Sequence, residues 1–345
     1  MIQLFASFGF TFAPLREMQT VHAKAQEKKD TRRKEVRGDY KMRNDERQAV
    51  SKFFSALVVA LCVLVCFGAA SAQATAPATV DKEATVYGLK IHYVEAGSGP
   101  ALILLHGLGG NATNWALNIA PLAGQKFRVI VPDQIGFGRS DKPFINYRVG
   151  TYVDFLDAFY KELKIERATL VGNSMGGWVA AAYTLAHPEK VERLVLVDAA
   201  GFAPPAEFDA KSLSFLNPST REGMKQLATL VFSNKQFFTS DAAIDLMLTQ
   251  RLSAGDGYTI GSLIESIARR EDMLDNRLAG IKRPTLLIWG RDDGLTPLAA
   301  YGERFKKEIT GAQLVVFDAC GHVPMVEKAA EFNSALLKFL TAPAN

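Results

Sequence analysis

The chain has 345 residues, 48% of them hydrophobic and 22% charged, so a sizeable core can be buried and disorder is not the default. The net charge of +4 belongs to the leader: residues 1–72 hold 12 Lys+Arg and 7 Asp+Glu, and the remainder holds 28 and 29. The larger part of the chain therefore lacks the basic footprint of a nucleic-acid binder, and no nucleic-acid partner is expected. Cys62 and Cys66 share one apolar run and Cys320 stands alone, so no internal disulfide is demanded and the redox compartment stays open.

In chain order the leader comes first. No residue from Phe53 to Val80 is charged, and the apolar run FFSALVVALCVLVCFG ends at Ala70-Ser71-Ala72, a small-x-small cleavage pattern. Residues 42–72 read as a signal peptide whose n-region is MRNDERQAVSK, with cleavage near Ala72 and export to the periplasm or the medium. An uncleaved leader would instead give membrane association through residues 53–70. Residues 1–41 read as an over-extended start preceding a true Met42, or as a disordered basic tail. Residues 73–84, beginning QATAPAT, read as a linker.

Beyond the linker, VYGLKIHYVEAG predicts an opening hairpin. ALILLHG, RVIVPD, ATLVGNS, RLVLVD, PTLLIWG and QLVVFDA predict strands buried on both faces. TYVDFLDAFYKELK and GGWVAAAYTLAHPEKV between them predict helices. The alternation predicts the α/β class: a mostly parallel twisted sheet with helices on both faces, formed by residues 85–202 and 280–342. Ligands of such sheets bind at the carboxyl ends of the strands. Residues 203–279 break the rhythm, ATLVF being their one strand-like run. They are expected to form a helical cap, with Phe208, Phe215, Phe232, Phe237 and Phe238 as pocket walls or as packing within the cap.

Gly172-Asn173-Ser174-Met175-Gly176 fits G-x-S-x-G between a predicted strand and a predicted helix, the context that turns this weak pattern into a nucleophile elbow. Ser174 is the expected nucleophile, and the Met175 amide an expected oxyanion donor. A Ser hydroxyl needs a base. Of the histidines, only His106 and His322 follow sheet strands at the rim, and the chain order Ser, acid, His selects His322. His106-Gly107-Leu108-Gly109-Gly110 follows a strand, so Leu108 offers the second oxyanion amide while His106 braces the loop. The acid must end a strand between Ser174 and His322. Asp293 is favoured, with Asp292 and Asp198 as alternatives. Trp115 and Trp178 are candidate substrate-binding walls. No spacing suggests a metal site, phosphate loop or dinucleotide fingerprint, so neither metal nor cofactor is expected.

GNSMGG, HGLGG, PDQIGFGRSDKP, WGRDDGLTP and CGHVPMVE occur in the order found in the α/β-hydrolase superfamily, which the chain resembles over roughly residues 85–342. In the matching WGxxDxxxP motif the acid is the second Asp, which points to Asp293. Haloalkane dehalogenases and epoxide hydrolases of that superfamily carry aspartate where this chain has Ser174. C–C hydrolases of aromatic meta-cleavage share the GNSMGG elbow but typically place Trp after the catalytic His, where this chain has Val323. VDAAGF and GHVPMVE resemble exported bacterial true lipases and monoacylglycerol-lipase-like proteins. That resemblance implies hydrolysis of small-molecule or lipid acyl esters through an acyl-enzyme. A C–C bond hydrolase, or a non-catalytic binding protein on the same fold, is the alternative.

Overall fold

The computed structural model describes residues 77–343. The expected signal peptide at 42–72, the over-extended start or basic tail at 1–41 and the membrane association through residues 53–70 lie outside the described residues. No helix among the described residues is long and apolar enough to cross a membrane.

Eight strands form one sheet in the order β1-β2-β4-β3-β5-β6-β7-β8. They are β1 (Val80–Val86), β2 (Leu89–Ala96), β3 (Ala101–Leu105), β4 (Arg128–Pro132), β5 (Ala168–Asn173), β6 (Val191–Val197), β7 (Thr285–Gly290) and β8 (Gln313–Phe317). β1 and β2 form the expected antiparallel hairpin, β2 also runs antiparallel to β4, and every remaining pair is parallel. The hairpin begins at Val80, inside the stretch read as linker. QATAPAT suggests a linker, but pairing with β2 carries the strand back through Asp81, Lys82 and Glu83, charged residues that an edge strand tolerates.

Alternation along the central strands divides the core in two. Ile103, Leu105, Leu170, Leu194, Leu196 and Leu287 face one cluster, while Leu102, Leu104, Val171, Val195, Val197 and Ile288 face the other. Because the central strands carry apolar residues on both faces, both faces must be covered, and the crossover helices cover them. Helices α1 (Ala116–Ala123), α2 (Val149–Glu162) and α3 (Met175–Ala186) precede the cap. The cap carries α4 (Arg221–Val231), α5 (Lys235–Phe238), α6 (Asp241–Ser253) and α7 (Gly257–Ala268), and α8 (Gly302–Glu308), α9 (Pro324–Glu327) and α10 (Ala329–Thr341) follow it. Residues of α2 and α3 join the first cluster; residues of α1 and α10 join the second.

The strand-like run ATLVF belongs to α4 and the turn after it, because its apolar residues continue the helical spacing begun at Met224 and Leu227. The cap is pinched at its base: the Leu274 amide donates to the Gly201 carbonyl (2.8 Å) and the Ala203 amide to Asp275 Oδ2 (2.9 Å).

Trp115 is a correction. It is wholly buried against Phe332 of α10 in the second cluster and does not line the space beside Ser174. Trp115→Ala should therefore lower unfolding stability by about 3–5 kcal/mol, measured by denaturant titration, with KM unchanged. A raised KM at near-normal stability would return Trp115 to the pocket.

Candidate active site

β5 ends at Asn173, and the chain turns so sharply into α3 that Ser174 adopts φ 55° and ψ −119°. The glycines permit this turn. A Cβ on Gly172 would lie 2.2 Å from the Gly176 carbonyl oxygen, and one on Gly176 would lie 2.4 Å from that of Leu105. Ser174 thus stands at the N-terminal end of α3, where the partial positive charge of a helix favours an oxyanion. The Met175 amide begins that helix, and no hydrogen bond from it or from the Leu108 amide appears among the described residues.

The loop after β3 is braced as expected. His106 is wholly buried, its Nδ1 is 2.8 Å from the Gly107 carbonyl, and its Nε2 accepts the Gln134 amide (3.0 Å). Burial pushes its pKa down, so the ring is neutral with the proton on Nδ1. Gln134 also donates to the His106 carbonyl (2.7 Å). This loop approaches Ser174 so closely that a Cβ on Gly107 would lie 3.1 Å from Ser174 Cβ.

β7 and β8 deliver the other two groups. His322 Nδ1 lies 2.8 Å from Asp293 Oδ2, and both residues are buried. Asp293 also accepts the amides of Leu295 (2.8 Å) and Thr296 (3.1 Å) and the Thr296 hydroxyl (2.6 Å). Burial alone would raise its pKa, but the charge and hydrogen bond of His322, with the Thr296 bond, outweigh that and hold it at about 2. An ionised carboxylate facing Nδ1 fixes the proton there and leaves Nε2 free to act as a base. Asn173 holds this loop from below, donating to the carbonyls of His322 (3.0 Å) and Val197 (3.1 Å).

The structure separates the three acid candidates. Asp292 is exposed and accepts the Ser233 hydroxyl (2.6 Å), turned away from His322. Asp198 is wholly buried; its Oδ1 accepts the Gly290 amide (2.9 Å), and its Oδ2 has no partner. One oxygen of Asp198, one of Asp293 and a ring nitrogen of His322 lie within 4.8 Å of one another. Burial, then the charge of Asp293, pushes the Asp198 pKa far up, so Asp198 holds its proton while Asp293 is ionised. Two acidic groups and an imidazole could in principle ligate a metal. A neutral Asp198 and a ring nitrogen already engaged by Asp293 make a poor donor set.

An apolar cavity of about 280 Å³ opens onto Ser174, His322, Leu108 and Met175. Trp178 lines it, with its indole N–H donated to the Asp272 carbonyl (2.9 Å). Of the five cap phenylalanines, only Phe215 is a wall of this cavity; Phe202 at the cap base is another. Phe232 stacks on Phe238, and the exposed Phe237 meets the same ring edge-on, so these three pack within the cap. No Lys, Arg, Asp or Glu lines the cavity. A second, wider cavity of about 670 Å³ shares Leu108, Gly110, Leu227, Val231 and Val323 with it. There Arg251, whose Nη1 would lie 2.6 Å from a Cβ on Gly109, is ion-paired with the buried Asp256.

Sequence reasoning passed over Thr296, Asn173, Gln134 and Glu327. Thr296 lay in plain view three residues after Asp293 in WGRDDGLTP, a spacing at which a hydroxyl reaches back to a carboxylate. His92, read only as a hairpin residue, is buried between Asp133 (2.9 Å) and Asp81 (2.8 Å), where it ties the hairpin to the loop after β4.

The neutral Asp198 has a measurable consequence. Its folded pKa lies above the unfolded value of about 4, so the unfolded chain loses this proton first as pH rises and stability falls from there upward. Asn keeps the shape and cannot ionise. Asp198→Asn should therefore gain stability over the parent protein increasingly from pH 4.5 to pH 8, read as denaturant midpoints. A constant or shrinking difference would mean that Asp198 is ionised in the folded protein.

Comparison with known proteins agrees with this architecture. Residues 100–329 match the family described as alpha/beta hydrolase fold. The chain is 33% identical over 269 residues to 2-hydroxymuconate semialdehyde hydrolase of Pseudomonas sp., covering 76% of this chain and 94% of that protein. It is 34% identical over 271 residues to 2-hydroxy-6-oxo-6-phenylhexa-2,4-dienoate hydrolase of Comamonas testosteroni, covering 72% and 91%. Among solved structures, a membrane phospholipase A described as a bacterial virulence factor superposes with a TM-score of 0.66 at 29% identity, covering 84% of this chain and 98% of that one. The chain belongs to the alpha/beta hydrolase fold family.

Proposed function

We propose that the protein hydrolyses carboxylic esters with a neutral, apolar acyl chain through an acyl-enzyme on Ser174. The carrying observation is the cavity beside Ser174, which is apolar and lined by no charged Lys, Arg, Asp or Glu side chain. Its acyl chain would lie between Trp178, Phe215, Leu263 and Ile267, with the alcohol facing the wider cavity. His322 Nε2 takes the Ser174 proton as the oxygen attacks the acyl carbonyl. The amides of Leu108 and Met175 receive the developing oxyanion. His322 then gives the proton to the leaving alcohol and later activates the water that releases the acid. Asp293, ionised throughout, stabilises the imidazolium that forms between these transfers.

C–C bond hydrolysis is the second reading, favoured by the names of the relatives at 33% and 34% identity. A dienoate carries a carboxylate, and a buried carboxylate needs a cation. The apolar cavity supplies none, and in the wider one Arg251 is paired with Asp256 and Arg139 with Asp81. The pocket therefore suits an uncharged acyl chain better. Side-by-side turnover of p-nitrophenyl esters and a meta-cleavage ring-fission product distinguishes the readings. Preference for the ring-fission product would overturn the ester proposal.

Ser174→Ala and His322→Ala should each lower kcat by roughly 10⁴-fold or more, and the double variant should be little worse than either. Multiplicative losses would show that the two do not act as a unit. Asp293→Asn should cost about 10⁴-fold, and Asp292→Asn far less. A crippling Asp292→Asn would reverse the assignment of the acid.

Each acyl methylene moved from water into the cavity gains about 0.8 kcal/mol, and a tenfold rate change needs about 1.4 kcal/mol. Two further methylenes should thus raise kcat/KM by about an order of magnitude, so esters of around C4 to C10 should clearly exceed acetate. A p-nitrophenyl ester series that is flat from C2 upward would remove the cavity from the acyl site.

A further inference from the structure

The last residue of GHVPMVE, Glu327, has no part in the chemistry above, yet it joins two separate pieces of the site. Its Oε1 accepts the Gly321 amide (2.8 Å), one residue before His322. Its Oε2 accepts the Ser233 amide (2.9 Å), two residues beyond the end of α4 in the cap. One half-buried carboxylate therefore bridges the histidine loop and the cap.

The same junction is tied at three more points. The last carbonyls of a helix have no partner within it. At the end of α4 the Leu230 carbonyl accepts the Gly294 amide (3.0 Å), beside Asp293, and the Val231 carbonyl accepts the amide of His322 itself (2.7 Å). The Ser233 hydroxyl donates to Asp292 (2.6 Å), on the other side of Asp293. The approach is so close that a Cβ on Gly321 would lie 2.2 Å from the Val231 carbonyl oxygen and 2.9 Å from Glu327 Oε1. On its other face, α4 presents Leu227 and Val231 to the apolar cavity beside Ser174. One helix end thus touches both the space for the acyl chain and the loops that carry Asp293 and His322.

We infer that Glu327 is a positioning residue, clamping the His322 loop to cap helix α4 so that the imbedded helix end sets the alignment of the imidazole toward Ser174. The carboxylate accepts the two amides on its two separate oxygens, and glutamine of the same length has a donor in place of one of them. Without it, the Gly321 and Ser233 amides lose their partners and the loop before His322 is free to shift. A displacement of about 1 Å at a catalytic group can cost about 10²-fold in rate. The inference rests on Ser174 being activated by His322, and not on which substrate is cleaved.

The test uses the full chain with Glu327→Gln and Glu327→Ala. The readout is the rate of Ser174 labelling by a fluorophosphonate across pH, with thermal unfolding measured in parallel. Labelling reads the activated serine whatever the natural substrate. Gln keeps one accepting oxygen and turns an N–H against the other amide, so it should label about tenfold more slowly, and Ala about 10²-fold more slowly. In both, the midpoint of the pH profile should move. For any ester that the parent protein turns over, the loss should fall on kcat with KM little changed. If Ala fails to fold, Gln decides alone. Labelling by Glu327→Gln at the parental rate and pH midpoint would overturn the clamp, as would a loss confined to thermal stability. Parental labelling without ester turnover would overturn the ester proposal alone.

Discussion

The backbone at Ser174 is the constraint around which the site is arranged. A non-glycine residue at φ 55° and ψ −119° stores about 1–3 kcal/mol of strain and persists only where its surroundings over-determine it. Here they do. The Ser174 amide donates to the Val197 carbonyl (3.0 Å), and the Ser174 carbonyl accepts the amides of Trp178 and Ala200 (both 3.1 Å). The turn is thereby fastened to β6 on one side and to α3 on the other. Gly176 must then pass against the Leu105 and His106 carbonyls, which fixes the loop carrying Leu108. The positions of both candidate oxyanion amides, those of Leu108 and Met175, follow from one strained residue.

Charge at the rim is rationed by burial. Asp198, Asp293 and His322 crowd together where two carboxylates cannot both ionise. Asp293 receives the donors: two amides, a hydroxyl and the imidazole. Asp198 receives one amide and stays neutral. The uneven distribution of hydrogen bonds, more than any difference between the two side chains, decides which one faces His322 as an anion.

The family scaffold serves several chemistries, and the fold does not choose among them. The relatives include hydrolases of dienoate compounds and a structural neighbour described as a phospholipase. In this chain the wall of the cavity bears on the choice. The cap contributes Phe215, Leu227, Leu263 and Ile267 to an uncharged space, and the guanidinium groups of the adjoining cavity, Arg251 and Arg139, are paired with Asp256 and Asp81. The cap is also tied at its base and again at the end of α4, so the roof and the histidine loop share hydrogen bonds.

Much of this was legible in the amino-acid order. Alternating apolar runs specify a sheet covered on both faces, because β3 to β7 have no polar face to leave in water. The elbow is legible because its glycines are required by backbone contact, and Ser174 and His322 follow strand ends that any parallel sheet gathers at one rim. The interval 203–279 stood out because its apolar spacing changes from sheet to helix. Long-range partnership was not legible. Nothing in the spacing of Trp115 tells that α10 returns to bury it, and Asp81 to Glu83 look like linker until β2 pairs with them. Asp292 and Asp293 are adjacent and chemically identical; only the turn after β7 points one at Ser233 and the other at His322. The sequence by itself determined the fold class and singled out the candidate nucleophile, the candidate base and a short set of acids. The tertiary structure alone decided which acid ionises, which aromatics line the cavity and where the cap is fastened, because burial and hydrogen-bond partnership depend on residues far apart in the chain.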